Sequence, residues 1–200
     1  MNVLIWTAVG FFLGSLPLSV WLGHLILHTD IRNYGDGNPG AINAWRAGGW
    51  KIGLTAILLD SVKGAIPVGL AHFVFDVSGW GLVIVALAPV LGNVFSPFLG
   101  FRGGKAIAIT FGVWTGLTLW VGPTVLGISL ALFYALQESD TWAVILGMLA
   151  LGVLITIITF DSVTTVIWAC NTLIIIWVHR HDLHSLPTIR PWLMNGPKRH

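Results

Sequence analysis

Long stretches of this chain contain no Asp, Glu, Lys or Arg: Met1–Thr29, Val77–Phe101, Ala106–Gln137, Thr141–Phe160 and Ser162–Val178. A further stretch, Ile52–Phe75, is interrupted only by Asp60 and Lys63. A helix needs about 20 mostly apolar residues to cross the hydrocarbon core of a bilayer. At these lengths only helices satisfy their own backbone in lipid. The expected fold is therefore all-α: a polytopic membrane helical bundle, one integral membrane domain over residues 1–200. Composition agrees, with 56% hydrophobic and 9% charged residues, where a soluble domain carries about 25% charged.

Ala106–Gln137 is too long for one ordinary helix, and Gly122-Pro123 is its natural break, giving Lys105–Trp120 and Pro123–Gln137. That makes seven spans, with six as the alternative. Met1–Phe12 lacks the basic region of a cleavable leader and reads as the start of the first span. Seven spans place the connectors Asp30–Lys51, Arg102–Lys105 and Glu138–Asp140 and the tail from His179 on one side. Arg32, Arg46, Lys51, Arg102, Lys105, Arg180, Arg190, Lys198 and Arg199 all fall there. The opposite connectors, near Asp76–Gly79, Val121–Gly122 and Phe160–Asp161, hold no basic residue. The expectation is an N-terminus outside and a cytoplasmic C-terminus. Trp6, Trp21, Trp45, Trp50, Trp80, Trp120, Trp142 and Trp177 near span ends read as an aromatic belt. The net charge is only +2, which gives no reason to expect a nucleic-acid partner.

Two connectors are richer than a membrane loop requires: Gly35-Asp36-Gly37-Asn38-Pro39-Gly40-Ala41-Ile42-Asn43-Ala44-Trp45-Arg46 and Gly100-Phe101-Arg102-Gly103-Gly104-Lys105-Ala106. Clustered glycines let backbone N–H groups turn together toward an anion, and Arg or Lys supplies the opposing charge. The first loop leads into a helix and reads as a phosphate cradle gripped by Arg46, or as a sharp turn capped by Asn and Gly. The second puts Lys105 at the positive end of a helix, which is unfavourable unless an anion lies between them; a plain interfacial anchor is the other reading. Asp60 and Lys63, spaced i, i+3, read as a structural ion pair facing the bundle interior, or Lys63 extends the basic field beneath the loops.

His179-Arg180-His181-Asp182-Leu183 follows the last span, and its His and Asp read as base, orienter or interfacial residues. His24, His28, His72 and His184 lack a clear partner, and no spacing resembles a zinc ligand set. Cys170 excludes an internal disulfide. No Ser/His/Asp order or nucleophile elbow appears.

These motifs, in this order, resemble the bacterial acyl-phosphate:glycerol-3-phosphate acyltransferases of the PlsY type. The resemblance covers nearly the whole chain. It runs from Gly14-Ser15-Leu16-Pro17 through Asp30-Ile31-Arg32 and the first glycine loop to Arg46 and Gly48-Gly49. It continues with Leu59-Asp60-x-x-Lys63-Gly64, then Gly92-x-x-Phe95-x-Pro97-Phe98 and Phe101-x-Gly103-Gly104-Lys105-x-x-Ala108. The segment His179-Arg180-x-Asp182-Leu183 closes it. The resemblance implies seven spans in the bacterial inner membrane, an active site on the cytoplasmic face, and no metal or other cofactor. It implies acyl transfer from an acyl phosphate to the 1-hydroxyl of glycerol 3-phosphate, giving lysophosphatidic acid, with membrane lipid as surroundings. It implies catalytic roles for Arg46, Lys105 and His179. Asp36, Gly37, Asn38, Gly40, Ala41, Asn43, Gly103, Gly104 and Asp182 then fall at substrate-binding positions. An acyl phosphate already has a good leaving group, so positioning and charge stabilisation suffice.

The departures are chemical. The family usually has Ser at the position of Asp36, Thr at Ile42, His at Asn93 and Asn at Asp182. A carboxylate about 4 Å from a phosphate costs on the order of 4 kcal/mol at an effective dielectric near 20. Asp36 and Asp182 therefore need neutralising by Arg46, Lys105 or Arg180 if glycerol 3-phosphate is to bind. Otherwise the acceptor is less anionic, an alcohol or amine, or the chain is a lipid-binding protein without activity. Acyl-chain length and oligomeric state are open at this point.

Overall fold

A computed structural model describes residues 1–159, 161–183 and 186–190. Phe160, His184, Lys198 and Arg199, on which the sequence reading also drew, lie outside the described residues. Two compact units form, Met1–Trp120 and Val121–His200, and each is described by itself.

The first unit holds α1 (Asn2–Ser15), α2 (Leu18–Leu22), α3 (Ala41–Phe73), α4 (Gly79–Val94) and α5 (Ile107–Thr118). The break between α1 and α2 falls at Leu16-Pro17, where proline removes a backbone donor. A π-helical turn, Gly23–Leu27, continues α2. Inside α3, Gly49 leaves helical geometry at φ 77° and ψ −175°, so a short helix precedes a long one. Helix α3 packs mainly on α5, and α1 on α4. The α3–α5 approach is close enough that a side chain at Gly112 would overlap the Ser61 carbonyl. Small residues at such crossings let membrane helices touch through their backbones.

The second unit holds α6 (Val121–Leu136), α7 (Asp140–Thr159) and α8 (Ser162–Val178). Asp161 caps α8 by accepting from the Thr164 amide at 2.8 Å. Trp168 Nε1 donates to the Met148 carbonyl at 2.7 Å, so the half-buried indole packs on α7 without an orphaned donor. Residues 188–190 run back along the α6–α7 connector: the Glu138 amide donates to Thr188 O at 3.1 Å and the Arg190 amide to Leu136 O at 2.9 Å.

The expected break at Gly122-Pro123 lies earlier, at Leu119-Trp120, where Leu119 takes φ 54°. Pro123 falls in the first turn of α6, where a missing N–H breaks no helical bond. Among the described residues, four helical segments are long and apolar enough to cross a membrane: Asn2–Leu27, Ala41–Phe73, Gly79–Leu99 and Asp140–Thr159. Ile107–Thr118, Val121–Leu136 and Ser162–Val178 are shorter apolar helices. Large apolar side chains such as Ile66, Ile84, Leu132 and Ile157 lie exposed. Helices apolar all round and exposed on one side suit lipid and not water.

Candidate active site

The loop from Asp30 to Gly40 is built by side chains that return to its own backbone. Asp30 accepts from the Arg32 amide at 2.9 Å and pairs with its guanidinium, Nη2 to Oδ2 at 2.6 Å. The Arg32 side-chain bond is the main reason that the Asp30 carboxyl is pulled down to about 2. Arg32 is thus spent on Asp30. Gly35 and Gly37 follow in the left-handed region at φ 58° and 74°. A side chain at Gly35 would also overlap the Arg46 guanidinium and the Asn43 amide oxygen, so Arg46 lies directly against the loop backbone.

Asn43, buried in the first turn of α3, ties this loop together. Its Nδ2 donates to Asp36 Oδ1 and to Asn38 O, each at 2.9 Å. Its Oδ1 accepts from Arg46 Nη1 at 3.2 Å. The Asn38 amide also donates to Asp36 Oδ1, at 3.2 Å. Gly40 opens α3 with extended backbone and no side-chain cap, leaving Ala41 and Ile42 at a helix start suited to an anion. Ile42 is exposed there and brings no hydroxyl.

The second loop is tied to the end of α4. The Gly103 amide donates to Val94 O and the Gly104 amide to Asn93 O, each at 3.0 Å. These amides are therefore committed to protein carbonyls, and Gly103 lets the loop approach α4 so closely that a side chain there would overlap the Asn93 carbonyl. Lys105 Nζ meets Asp36 Oδ2 at 3.0 Å. The anion that the helix start at α5 called for is supplied by the first loop.

Burial works against ionisation of Asp36, but the Lys105 ammonium and the Asn38 and Asn43 donors outweigh it and hold the carboxyl below its ordinary range. A carboxylate lowered in the folded state keeps its pairing at all pH above the ordinary range. It loses that pairing as pH falls through the lowered value. At neutral pH Lys105 therefore carries a resident carboxylate. The two side chains are 30% and 45% exposed, Lys105 and Asp36 respectively, so the pair is open to exchange with a soluble anion.

Beneath this site lies the intramembrane pair. Lys63 Nζ meets Asp60 Oδ1 at 2.8 Å with both side chains buried, as the ion-pair reading expects. The ammonium also donates to Leu16 O at 2.8 Å and Asn93 Oδ1 at 3.0 Å, and Ser19 Oγ donates to Asp60 Oδ2 at 2.6 Å. The Asp60 carboxylate offsets the Lys63 charge and three acceptors meet its three donors, so the pair reads as structural and not as an extension of the basic field. Ser19 and Asn93 are partners that sequence reasoning missed. Gly14-Ser15-Leu16-Pro17 was the available signal, because a proline break in a membrane helix exposes carbonyls that something must satisfy. Ser96 Oγ takes the other one, Ser15 O, at 2.6 Å.

In the second unit, His179 is buried at the C-terminal end of α8, its Nδ1 at 2.9 Å from Ile175 O. A carbonyl only accepts, so Nδ1 is the donor in this contact. Asp182 lies in the following 3₁₀ turn, its amide donating to His179 O at 2.8 Å. Arg180 is spent on Trp177, donating to its carbonyl at 2.7 Å with the guanidinium 4.4 Å from the indole centre.

The family model described as Glycerol-3-phosphate acyltransferase matches residues 4–188. "Glycerol-3-phosphate acyltransferase 1" of Thermotoga maritima is 38% identical, over 88% of this chain and 96% of its own length. A glycerol-3-phosphate acyltransferase of Anaeromyxobacter sp. is 34% identical, over 89% of this chain and 88% of its own. The crystal structure of PlsY (YgiH), an integral membrane glycerol 3-phosphate acyltransferase in its glycerol 3-phosphate form, superposes with TM-score 0.84 at 27% identity. It covers 92% of this chain and 90% of its own. The lysophosphatidic acid form superposes with TM-score 0.77. With paired glycine loops, a converged Lys105–Asp36–Asn43–Arg46 cluster and this likeness along both units, the chain belongs to the glycerol-3-phosphate acyltransferase family of integral membrane proteins.

Proposed function

We propose that this protein transfers a fatty acyl group from an acyl phosphate to the 1-hydroxyl of glycerol 3-phosphate. The hydroxyl oxygen attacks the acyl carbon, the bond to the phosphate oxygen breaks, and the departing phosphate takes the hydroxyl proton. The products are lysophosphatidic acid and inorganic phosphate. The observation that carries this reading is the cluster at the start of α3, where Lys105 and Arg46 flank an uncapped helix end. Arg46 offers a planar fork to a phosphate, and Lys105 a point charge. His179 and Asp182 are assigned to the same reaction from their motif. Both units are read as parts of one domain, since the family match spans both.

The Asp36–Lys105 pair bears on the acceptor. The required neutralisation of Asp36 is met by Lys105, which supports glycerol 3-phosphate as acceptor. The same carboxylate favours a second reading, in which a less anionic alcohol is used and Asp36 orients its hydroxyl. Purified protein given palmitoyl phosphate with glycerol 3-phosphate and a panel of neutral alcohols is expected to yield lysophosphatidic acid as the main product by mass spectrometry. Asp36→Ser removes a competitor for Lys105, and its KM for glycerol 3-phosphate is expected to fall by about two- to fivefold, the scale of a partly exposed ion pair. An unchanged or higher KM refutes the competition argument; acyl transfer only to neutral alcohols refutes the acceptor.

We read the seven apolar segments as seven spans in the bacterial inner membrane, with the glycine loops and the tail cytoplasmic. The one-sided placement of Arg46, Lys51, Arg102 and Lys105 supports this. A membrane-impermeant amine reagent is expected to modify Lys51 and Lys105 in inverted inner-membrane vesicles and to spare both in right-side-out vesicles. The opposite pattern reverses the topology.

A further inference from the structure

The cations of the first unit occupy two levels, and a single residue joins them. Lys63, in the middle of α3, is saturated by Asp60, Leu16 O and Asn93 Oδ1. Asn93, in the last turn of α4, has its side chain on Lys63 and its carbonyl on the Gly104 amide. A methyl group placed on Gly104 would lie 3.1 Å from Asn93 Nδ2 and 3.6 Å from Asn38 Oδ1. The Gly104 backbone thus lies between two asparagines, one from the first loop and one from the end of α4. Lys105 is the next residue, and its ammonium meets Asp36, two residues before Asn38.

We propose that the buried Ser19–Asp60–Lys63–Asn93 chain is a positioning network that sets the Lys105 ammonium against the first loop, with Asn93 the residue that transmits it. The network touches no reacting atom. It acts because a glycine pair has little conformational preference of its own, and something rigid must hold the backbone that carries Lys105. Lys63 is suited to that: its three acceptors come from the α1–α2 break, α3 and α4, so Asn93 is referenced to three helical segments at once. The proposal rests on the acyltransferase reading only for its kinetic arm.

Asn93→Leu keeps the side-chain shape and removes the acceptor for Lys63. Its kcat/KM for glycerol 3-phosphate is expected to fall by about 10- to 100-fold, mainly through KM, the scale of a displaced substrate-binding group. Asn93→His returns an acceptor nitrogen at the same distance from the backbone and is expected to recover most of the loss. If Asn93 acts through Lys105, adding Asn93→Leu to Lys105→Gln costs little beyond Lys105→Gln alone. A non-kinetic arm reads lysine acetylation in the purified protein by peptide mass spectrometry. Asn93→Leu is expected to raise the reactivity of Lys105 relative to exposed Lys51, while buried Lys63 stays unreactive and so reports an intact bundle. Multiplicative losses in the double variant, or unaltered Lys105 reactivity with Lys63 still protected, overturn the proposal. Should the leucine variant expose Lys63 and so report a disrupted bundle, Asn93→Ala carries the same two arms. If the wild-type protein makes no lysophosphatidic acid, the functional reading fails, and the labelling arm still decides the network.

Discussion

Lys105→Ala is expected to lower kcat/KM for acyl transfer to glycerol 3-phosphate by on the order of 10²–10³-fold or more, the scale of losing one preorganised charge-stabilising group. Two effects add. The ammonium that would face a phosphate is gone, and Asp36 is left as an uncompensated carboxylate beside the place where the phosphate must sit. The second effect is separable. Asp36→Ser placed on top of Lys105→Ala removes the stranded charge, and the double variant is expected to regain part of the loss. Arg46→Ala belongs to the same cluster, since its guanidinium rests on Gly35 and Asn43. It too is expected to cost at least about 10²-fold. Lysophosphatidic acid formation by purified variants measures all three. Full activity in Lys105→Ala or Arg46→Ala removes that residue from the mechanism.

Lys63→Met carries the largest expected effect on stability, a loss of about 3–5 kcal/mol, because it leaves a buried carboxylate without its counter-charge. Asp60 would retain only Ser19 Oγ, and the Leu16 carbonyl at the α1–α2 break would keep only the Leu18 amide, at 3.0 Å. Water is not at hand there to replace either bond. Removing both charges together, as Asp60→Leu with Lys63→Met, is expected to recover part of the stability, since the desolvation cost of the pair disappears with it. Denaturant titration in detergent micelles compares the three proteins. A single variant within about 1 kcal/mol of wild type would show that the pair is not the bundle's buried counter-charge.

The first glycine loop was legible as a candidate anion site because the features that suggest one are local: clustered glycines, a helix start and a nearby cation. Asp36 was legible only as a conflict. A carboxylate at a phosphate position looks repulsive until its partner is known, and that partner is Lys105, far along the chain. Gly103 and Gly104 were misjudged in the other direction. Their composition points to free amides, but the turn folds back onto α4 and commits both to carbonyls of Asn93 and Val94.

The sequence by itself determined the helical membrane character and the kinship of the motifs. Each of these follows from hydropathy or residue order, which neighbours distant in the chain do not change. Tertiary structure alone decided which acceptors each cation takes, that Lys63 caps a broken helix, and that Asn93 links it to the loop of Lys105. It also moved the helix break to Leu119-Trp120, because Pro123 is harmless in a first turn and packing was free to choose the bend. Pairings between α1, α3, α4 and the loops depend on how helices cross, and residue spacing along one chain carries no record of that crossing.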